Sequence, residues 1–237
     1  HIDGSLTTRT LSLNIAAPNI VYGTNTIVNG DVQVRGADSA FTYGITADKL
    51  SVGKFALWFG NIHGKIDQNT ITTNISLSDS THNEEFAIAA DMKKYGDTQV
   101  IRLQKGLKLN YNVWDVKQPN SIVFVKGGFY IRDFEINYQQ QYIKANSKSP
   151  VVNTPIKVEF DSFSLSNITE VISRNDSLLA GGVLDGSITV QQMSPSVRIT
   201  SDLTIKDLSV LSDTLGDLQA RVRTDSGNSL NAKLKMT

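Results

Sequence analysis

Strict alternation of apolar and polar residues is the feature that most constrains the fold of this chain. An apolar side chain at every second position is typical of a strand with one buried face, because successive side chains point to opposite sides. The pattern therefore predicts many half-buried β-strands. It recurs within 11–15, 32–34, 41–45, 86–90, 107–113, 188–190, 197–199, 203–205, 218–222 and 230–236.

Turn-forming residues punctuate the alternation about every 8–12 residues, as expected for consecutive short strands. Glycine, asparagine and aspartate accept the positive φ of tight turns. We predict roughly 18–20 strands, a short helix or turn over 167–179, and a long exposed loop over 142–157. The predicted turns are Asn29-Gly30-Asp31, Gly60-Asn61, Tyr95-Gly96-Asp97, Lys126-Gly127-Gly128, Asp185-Gly186, Gly216-Asp217 and Ser226-Gly227-Asn228.

An all-β chain of 237 residues must cover its apolar faces and protect its edges. The sequence lacks the repeat of about 40–50 residues that marks propeller blades. It also lacks the short stacked repeats of a β-helix. We therefore expect one continuous, elongated domain over 1–237, formed by a long, curled, antiparallel-rich sheet with an open apolar groove. A large sandwich or a lipocalin-like barrel is the alternative.

Composition excludes several classes of function. The 23 basic and 23 acidic residues cancel, so nucleic acid is not expected as a partner. Cysteine is absent, which removes disulfides and thiolate chemistry but leaves the compartment open. No apolar run approaches the ~20 residues of a spanning helix. The chain begins without a signal peptide, and we expect it to be a piece of a longer protein.

Patterns that would indicate catalysis, a cofactor or a metal are not found, and we predict that the chain is not an enzyme. His63 and His82 stand in loop-like sequence, and a metal site needs three or four convergent ligands. No G-x-S-x-G elbow occurs, and no glycine pair leads into a phosphate-binding loop. Trp58 and Trp114 are candidates for stacking on sugars, although aromatic residues in alternating strands more often pack in a core or groove.

The C-terminal third carries an ordered series of strand motifs. Residues 184–211 read L-D-G-S-I-T-V, then S-P-S-V-R-I-T-S-D-L-T-I-K-D-L, and 213–222 read D-T-L-G-D-L-Q-A-R-V. This series resembles the repeat of the TamB family of translocation and assembly module proteins, within the AsmA-like bridge-type lipid transfer superfamily. Segments 74–79, 107–114 and 120–124 are similar to strands of Bacteroidetes-type members. The resemblance covers 40–237 and is most specific over 180–225.

The resemblance implies a lipid-carrying sheet with an apolar groove, the "β-taco" fold. The parent protein is then expected in the periplasm, anchored in the inner membrane and supporting outer-membrane biogenesis by carrying phospholipid or another acyl-chain lipid. A partner that assembles outer-membrane barrels and self-association through strand edges are further expectations. The alternatives are an interaction scaffold that pairs strand edges and a secreted carbohydrate-binding or adhesive β-protein. The expected lining is Ile188, Val190, Val197, Ile199, Leu203, Ile205, Leu218, Ala220, Val222, Leu230 and Leu234.

Overall fold

The computed structural model describes residues 2–5, 9–52, 55–172, 179–193, 196–211, 213–225 and 229–237. In these ranges the chain forms 19 β-strands and one short helix, α1 (Ser166–Ile172). The strands are β1 (Ile2–Ser5), β2 (Thr10–Tyr22), β3 (Asn25–Ala37), β4 (Ala40–Val52), β5 (Phe55–Asp67), β6 (Thr70–Ser78), β7 (Glu84–Tyr95), β8 (Thr98–Leu103), β9 (Leu107–Leu109), β10 (Asn112–Val116), β11 (Ser121–Val125), β12 (Gly128–Arg132), β13 (Phe134–Tyr138), β14 (Gln141–Ser147), β15 (Ile156–Ser164), β16 (Ala180–Met193), β17 (Ser196–Val210), β18 (Asp213–Thr224) and β19 (Leu230–Met236).

The predicted all-β class and the predicted number of strands are confirmed. Contacts within the chain define two compact units: His1–Tyr95 with Leu103–Val113, and Gly96–Arg102 with Trp114–Thr237. The single continuous domain expected from the sequence stays a prediction. Across the described ranges, no helix has the length and apolar character needed to cross a membrane.

The first unit is an antiparallel meander in which each strand from β1 to β7 pairs with the next, and β7 also pairs with β9. Strands β2 to β5 have 13 residues each, longer than the usual 5–6. Tight turns at 23–24 and 38–39 join β2 to β3 and β3 to β4, and a tight turn at 68–69 joins β5 to β6.

Two predicted turns in this unit are wrong. Asn29-Gly30-Asp31 and Gly60-Asn61 lie inside β3 and β5, and both strands continue beyond them in unchanged register. The physical reason is that the paired strands bend with them. A residue with positive φ can reverse the direction of side chains without ending a strand, provided that its neighbours in the sheet bend with it.

The second unit begins with two groups of strands. Strand β11 pairs with β8 and β12, while β10 pairs with β13. From β13 to β19 every strand pairs with the next in antiparallel order. The turns predicted at Tyr95-Gly96-Asp97 and Lys126-Gly127-Gly128 are confirmed, since 96–97 and 126–127 separate strands. The one predicted at Ser226-Gly227-Asn228 lies outside the described residues.

Half of the loop predicted over 142–157 is strand, and the other half is loop. Residues 141–147 form β14, which pairs with β13 and β15, and the loop is limited to 148–155. Ala145 is buried between two partner strands, and this contact outweighs the turn-forming composition around it. The predicted helix over 167–179 corresponds in part to α1, and 173–178 lie outside the described residues.

The second unit has a closed aromatic core. Trp114 of β10 and Phe163 of β15 are each only 1% exposed, and their ring centroids are 5.8 Å apart. The Tyr138 ring also packs near the indole, with ring centroids 5.7 Å apart. Trp114 therefore cannot stack on a sugar while this core is intact, which removes one of the two tryptophans proposed for glycan binding.

Glycines in β16 and β18 mark irregular pairing, and the predicted turns at Asp185-Gly186 and Gly216-Asp217 are wrong. Both pairs lie inside strands, and the glycines have φ of +121° and +92°. A Cβ at Gly186 would collide with the backbone of Asp202 on β17. These glycines therefore permit a close approach of two backbones at a bulged part of the ladder.

Candidate functional site: an apolar cavity on strands β2 to β6

A partly enclosed cavity of about 430 Å³ lies on one face of β2–β6 in the first unit. Its volume falls in the range of roughly 300–1,000 Å³ seen for small-molecule sites. The lining is almost entirely aliphatic, and the polar residues Asp31, Thr46, Asn61 and Ser76 contribute its few polar positions. The apolar lining residues are Ile15, Ala17, Ile20, Ile27, Gly30, Val32, Ile45, Ala47, Leu50, Leu57, Gly60, Ile62, Ile75 and Leu77.

Two rows of branched side chains form the walls. Residues directly opposite in antiparallel strands share a face, so the register defines each row. The first wall crosses β2 to β6 through the pairs Ile15–Val32, Val32–Ile45, Ile45–Ile62 and Ile62–Ile75. The second crosses β2 to β5 through the pairs Ile20–Ile27, Ile27–Leu50 and Leu50–Leu57.

A row of small residues forms the floor between the walls. Ala17 lies opposite Gly30, and Ala47 lies opposite Gly60. Asp31 pairs with Thr46, so the adjacent residues Gly30 and Ala47 face each other across β3 and β4. Because none of these four side chains exceeds a methyl group, the floor lies lower than both walls. The result is a trough that runs across the strands.

The floor and the second wall share a face only because the alternation reverses between them. Along each strand these two rows are three positions apart, as in Ala17 to Ile20 and Leu57 to Gly60, where regular alternation requires an even number. The reversal occurs at matched positions in β2, β3, β4 and β5, and the register is the same on both sides of it. Four strands therefore bend together along one line.

The sequence supplies the conformations that this bend requires. Asn29 and Phe59 have φ of +49° and +43°, and asparagine tolerates this region better than most residues. Pro18, which has no N–H to donate to a ladder, lies at the same level of β2. Between β3 and β4, Asn29 Nδ2 donates to Asp48 Oδ2 at 2.7 Å.

The face opposite the cavity is polar and aromatic at this level. The Lys49 ammonium lies 4.4 Å from the centroid of the Trp58 ring, its partner across β4 and β5. The Phe59 ring stacks on His82 with centroids 3.9 Å apart. Trp58, the other proposed glycan-stacking residue, therefore lies under a lysine on the outer face of the sheet.

Wall residues are exposed at both ends of the trough: Ile15 is 50% and Ile20 45% exposed on β2, and Ile75 is 40% exposed on β6. The two ends differ in line with the floor. There, Leu77 of β6 is half-buried and lies opposite Phe86 of β7, which is only 7% exposed. The trough is thus open over β2, while bulky side chains stand in line with the floor beyond Gly60.

A polar loop follows Leu77. Asp79 accepts hydrogen bonds from Thr81 Oγ1 at 2.8 Å, Tyr111 Oη at 2.9 Å and the backbone N–H of Asn83 at 2.9 Å. The Thr81 hydroxyl, with these other donors, holds the pKa of Asp79 well below its usual range, although desolvation opposes the shift. Where the chain is described, no cluster of three acidic or histidine side chains suited to a metal ion occurs.

The eleven residues predicted to line a groove all lie on one face of β16–β19. The pairs Val190–Ile199, Leu203–Ala220 and Ala220–Leu234 illustrate this register. The face is open at β19, where Leu230 and Leu234 are 60% and 68% exposed. Ser201, which is buried between Ile188 and Val222, adds a polar position to it. Whether these residues bind lipid stays a prediction.

Sequence reasoning missed the cavity of the first unit as a site, although it identified several of its strands. The missed signal was the three-residue step in the apolar pattern, Ala17 to Ile20 and Ala47 to Leu50, next to positions that tolerate positive φ. The glycines at these steps were interpreted as turns. The same pattern in neighbouring strands was the evidence for a bend shared across a sheet.

Comparison of the chain with protein-family models, with curated proteins and with solved structures found no match.

Proposed function

We propose that this chain binds the acyl chains of lipids in the apolar trough of β2–β6, as a segment of an envelope protein that carries phospholipid between the inner and outer membranes. The proposed role is passive, and it requires no turnover and no cofactor. In the parent protein, the open apolar face of β16–β19 extends the surface available to lipid.

The observation that carries the proposal is the aliphatic lining of a partly enclosed cavity that the folded first unit leaves unfilled. Binding removes apolar surface from water. Each methylene of a ligand that becomes fully buried therefore stabilises the complex by about 0.8 kcal/mol. An acyl chain has no polar atoms that must be satisfied along its length. The resemblance of 180–225 to lipid-carrying proteins points to the same class of ligand.

A second candidate, a scaffold that pairs strand edges, is favoured by β19. All seven residues of this strand are exposed, and apolar residues at 230, 232, 234 and 236 alternate with Asn231, Lys233 and Lys235. An exposed strand can add to the sheet of a partner through its main chain. A pure scaffold, however, gives no role to the trough on β2–β6.

The proposal predicts that the purified chain carries lipid, which native mass spectrometry with lipid extraction measures. Ile75→Asp puts a carboxylate into the first wall, where it has to lie beside acyl methylenes. Because a charge in contact with hydrocarbon loses hydration, we expect the lipid-bound fraction to fall about tenfold or more. Ile75 is 40% exposed, so this variant should still fold.

Asn74→Asp is the matched control. Asn74 is exposed, adjacent to Ile75 on β6 and directed to the other face, where it lies opposite His63. The control adds the same charge to the same strand and should retain the lipid of the unmodified chain. Equal lipid content in both variants, or none in the unmodified chain, would contradict the proposal and favour the scaffold.

A further inference from the structure

The floor of the trough is a single row of small residues, with one row of branched side chains on each side. The two walls are five positions apart along a strand, as in Ile15 to Ile20, so the floor lies two or three residues, about 7–10 Å at 3.3 Å per residue, from each wall. An unbranched hydrocarbon chain can follow this floor.

The length of the cavity limits the occupant. Its lining spans five strands, so four steps of about 4.8 Å, or about 19 Å, separate β2 from Leu77 of β6. An extended, staggered chain of ~1.5 Å bonds advances roughly 1.25 Å per carbon, so about 15 carbons span the trough.

The two ends of the trough are not equivalent. Beyond Gly60 the floor position is taken by Leu77, whose Cδ2 is 3.6 Å from where a Cβ on Gly60 would stand, and Leu77 is followed by the buried Phe86. Over β2, exposed Pro18 and Asn19 border the lining residues Ala17 and Ile20. An apolar methyl terminus fits the first end, and a hydrated headgroup requires the second.

We propose that the trough selects lipids by chain length. It holds one unbranched acyl chain of about 14–16 carbons across β2–β6, with the methyl end against Leu77 and the headgroup over β2. This inference rests on the proposed function, because it specifies the ligand of the same site.

The test measures binding of saturated fatty acids from about 8 to about 20 carbons by displacement of a fluorescent fatty acid. Half-buried methylenes should each strengthen binding about twofold, until the trough is full at about 14–16 carbons, and longer chains should gain little. Leu77→Ala removes the bulky side chain at the end of the floor. The chain length at which the affinity stops increasing, the plateau, should therefore move to longer chains, and the binding of short chains should not weaken.

Ala47→Leu should have the opposite effect, because it fills the floor at the third strand and leaves room for about 8 carbons. Ala89→Leu is its matched control. It adds the same atoms to a half-buried alanine of β7 that lies opposite Asn74, on the face away from the trough, and should leave the chain-length limit unchanged. Circular dichroism of each variant checks that the fold is retained.

Two results would overturn this inference while leaving lipid binding intact: affinity that increases through 20 carbons, or a plateau that neither Leu77→Ala nor Ala47→Leu moves. Cholesterol that competes as well as a fatty acid of about 16 carbons would also overturn it. Failure of every fatty acid to bind would instead count against the proposed function itself.

Discussion

At the scale of single residues, the pKa of the Asp79 carboxyl lies well below its usual range. Its lowered pKa depends first on the Thr81 hydroxyl, and then on Asn83, Tyr111 and the Thr81 backbone. The cluster fixes the loop that follows Leu77, the residue at the closed end of the trough.

Thr81→Ala is expected to raise the pKa of Asp79 towards its usual value, which a carboxyl NMR titration measures. The pKa of Asp79 is lower in the folded than in the unfolded chain. The ionised carboxylate therefore stabilises the fold above pH about 4, and this stabilisation is lost as pH falls through the folded-state pKa. The difference in free energy of unfolding between the unmodified chain and Thr81→Ala should therefore become smaller in acid. Thr72→Ala, whose hydroxyl faces the Lys65 carbonyl, should change neither quantity. An unshifted Asp79 in Thr81→Ala would contradict this account.

Single residues also explain which sequence predictions failed. Glycine next to asparagine or aspartate predicts a turn when it is considered alone, yet Asn29-Gly30 and Asp185-Gly186 both lie inside long strands. Local sequence specifies that positive φ is permitted. Only the partner strands determine whether that freedom ends a strand or bends it, and those partners are remote in sequence.

At the scale of elements, the glycines within strands fall into two classes. Gly44 of β4 has open space where a Cβ would stand, whereas Gly186 of β16 combines φ of +121° with a backbone oxygen of Asp202 in the way. Gly44 could be replaced by alanine, whereas a side chain at Gly186 requires β17 to move. The sequence does not distinguish the two positions, since both glycines interrupt apolar stretches.

Gly186→Ala should therefore destabilise the chain by about 1–3 kcal/mol or more, because it adds backbone strain and displaces β17. Gly44→Ala should be neutral or stabilising by up to about 1 kcal/mol, since alanine loses less conformational freedom in a strand. Denaturant unfolding of both variants measures the two values. Equal effects would show that the pairing of β16 with β17 is not as close as described.

At the scale of the whole molecule, period-two alternation was sufficient to predict an all-β chain and its number of strands. The sequence motifs directed attention to 188–234, and the register does place those eleven residues on one face. The enclosed trough lies instead on β2–β6. Alternation specifies which side chains share a face, but enclosure depends on where neighbouring strands bend, and that required the three-dimensional register.

The most direct test is an NMR experiment with isoleucine methyl labels and a fatty acid that carries a spin label near its methyl end. A bound label broadens methyl signals close to it. We expect Ile62 and Ile75, near Leu77, to lose intensity first, Ile15 and Ile20 over β2 to be less affected, and Ile136 in the core of the second unit to be unchanged. Broadening that spares the trough and appears only on β16–β19, or nowhere, would contradict the central claim that an acyl chain occupies this cavity.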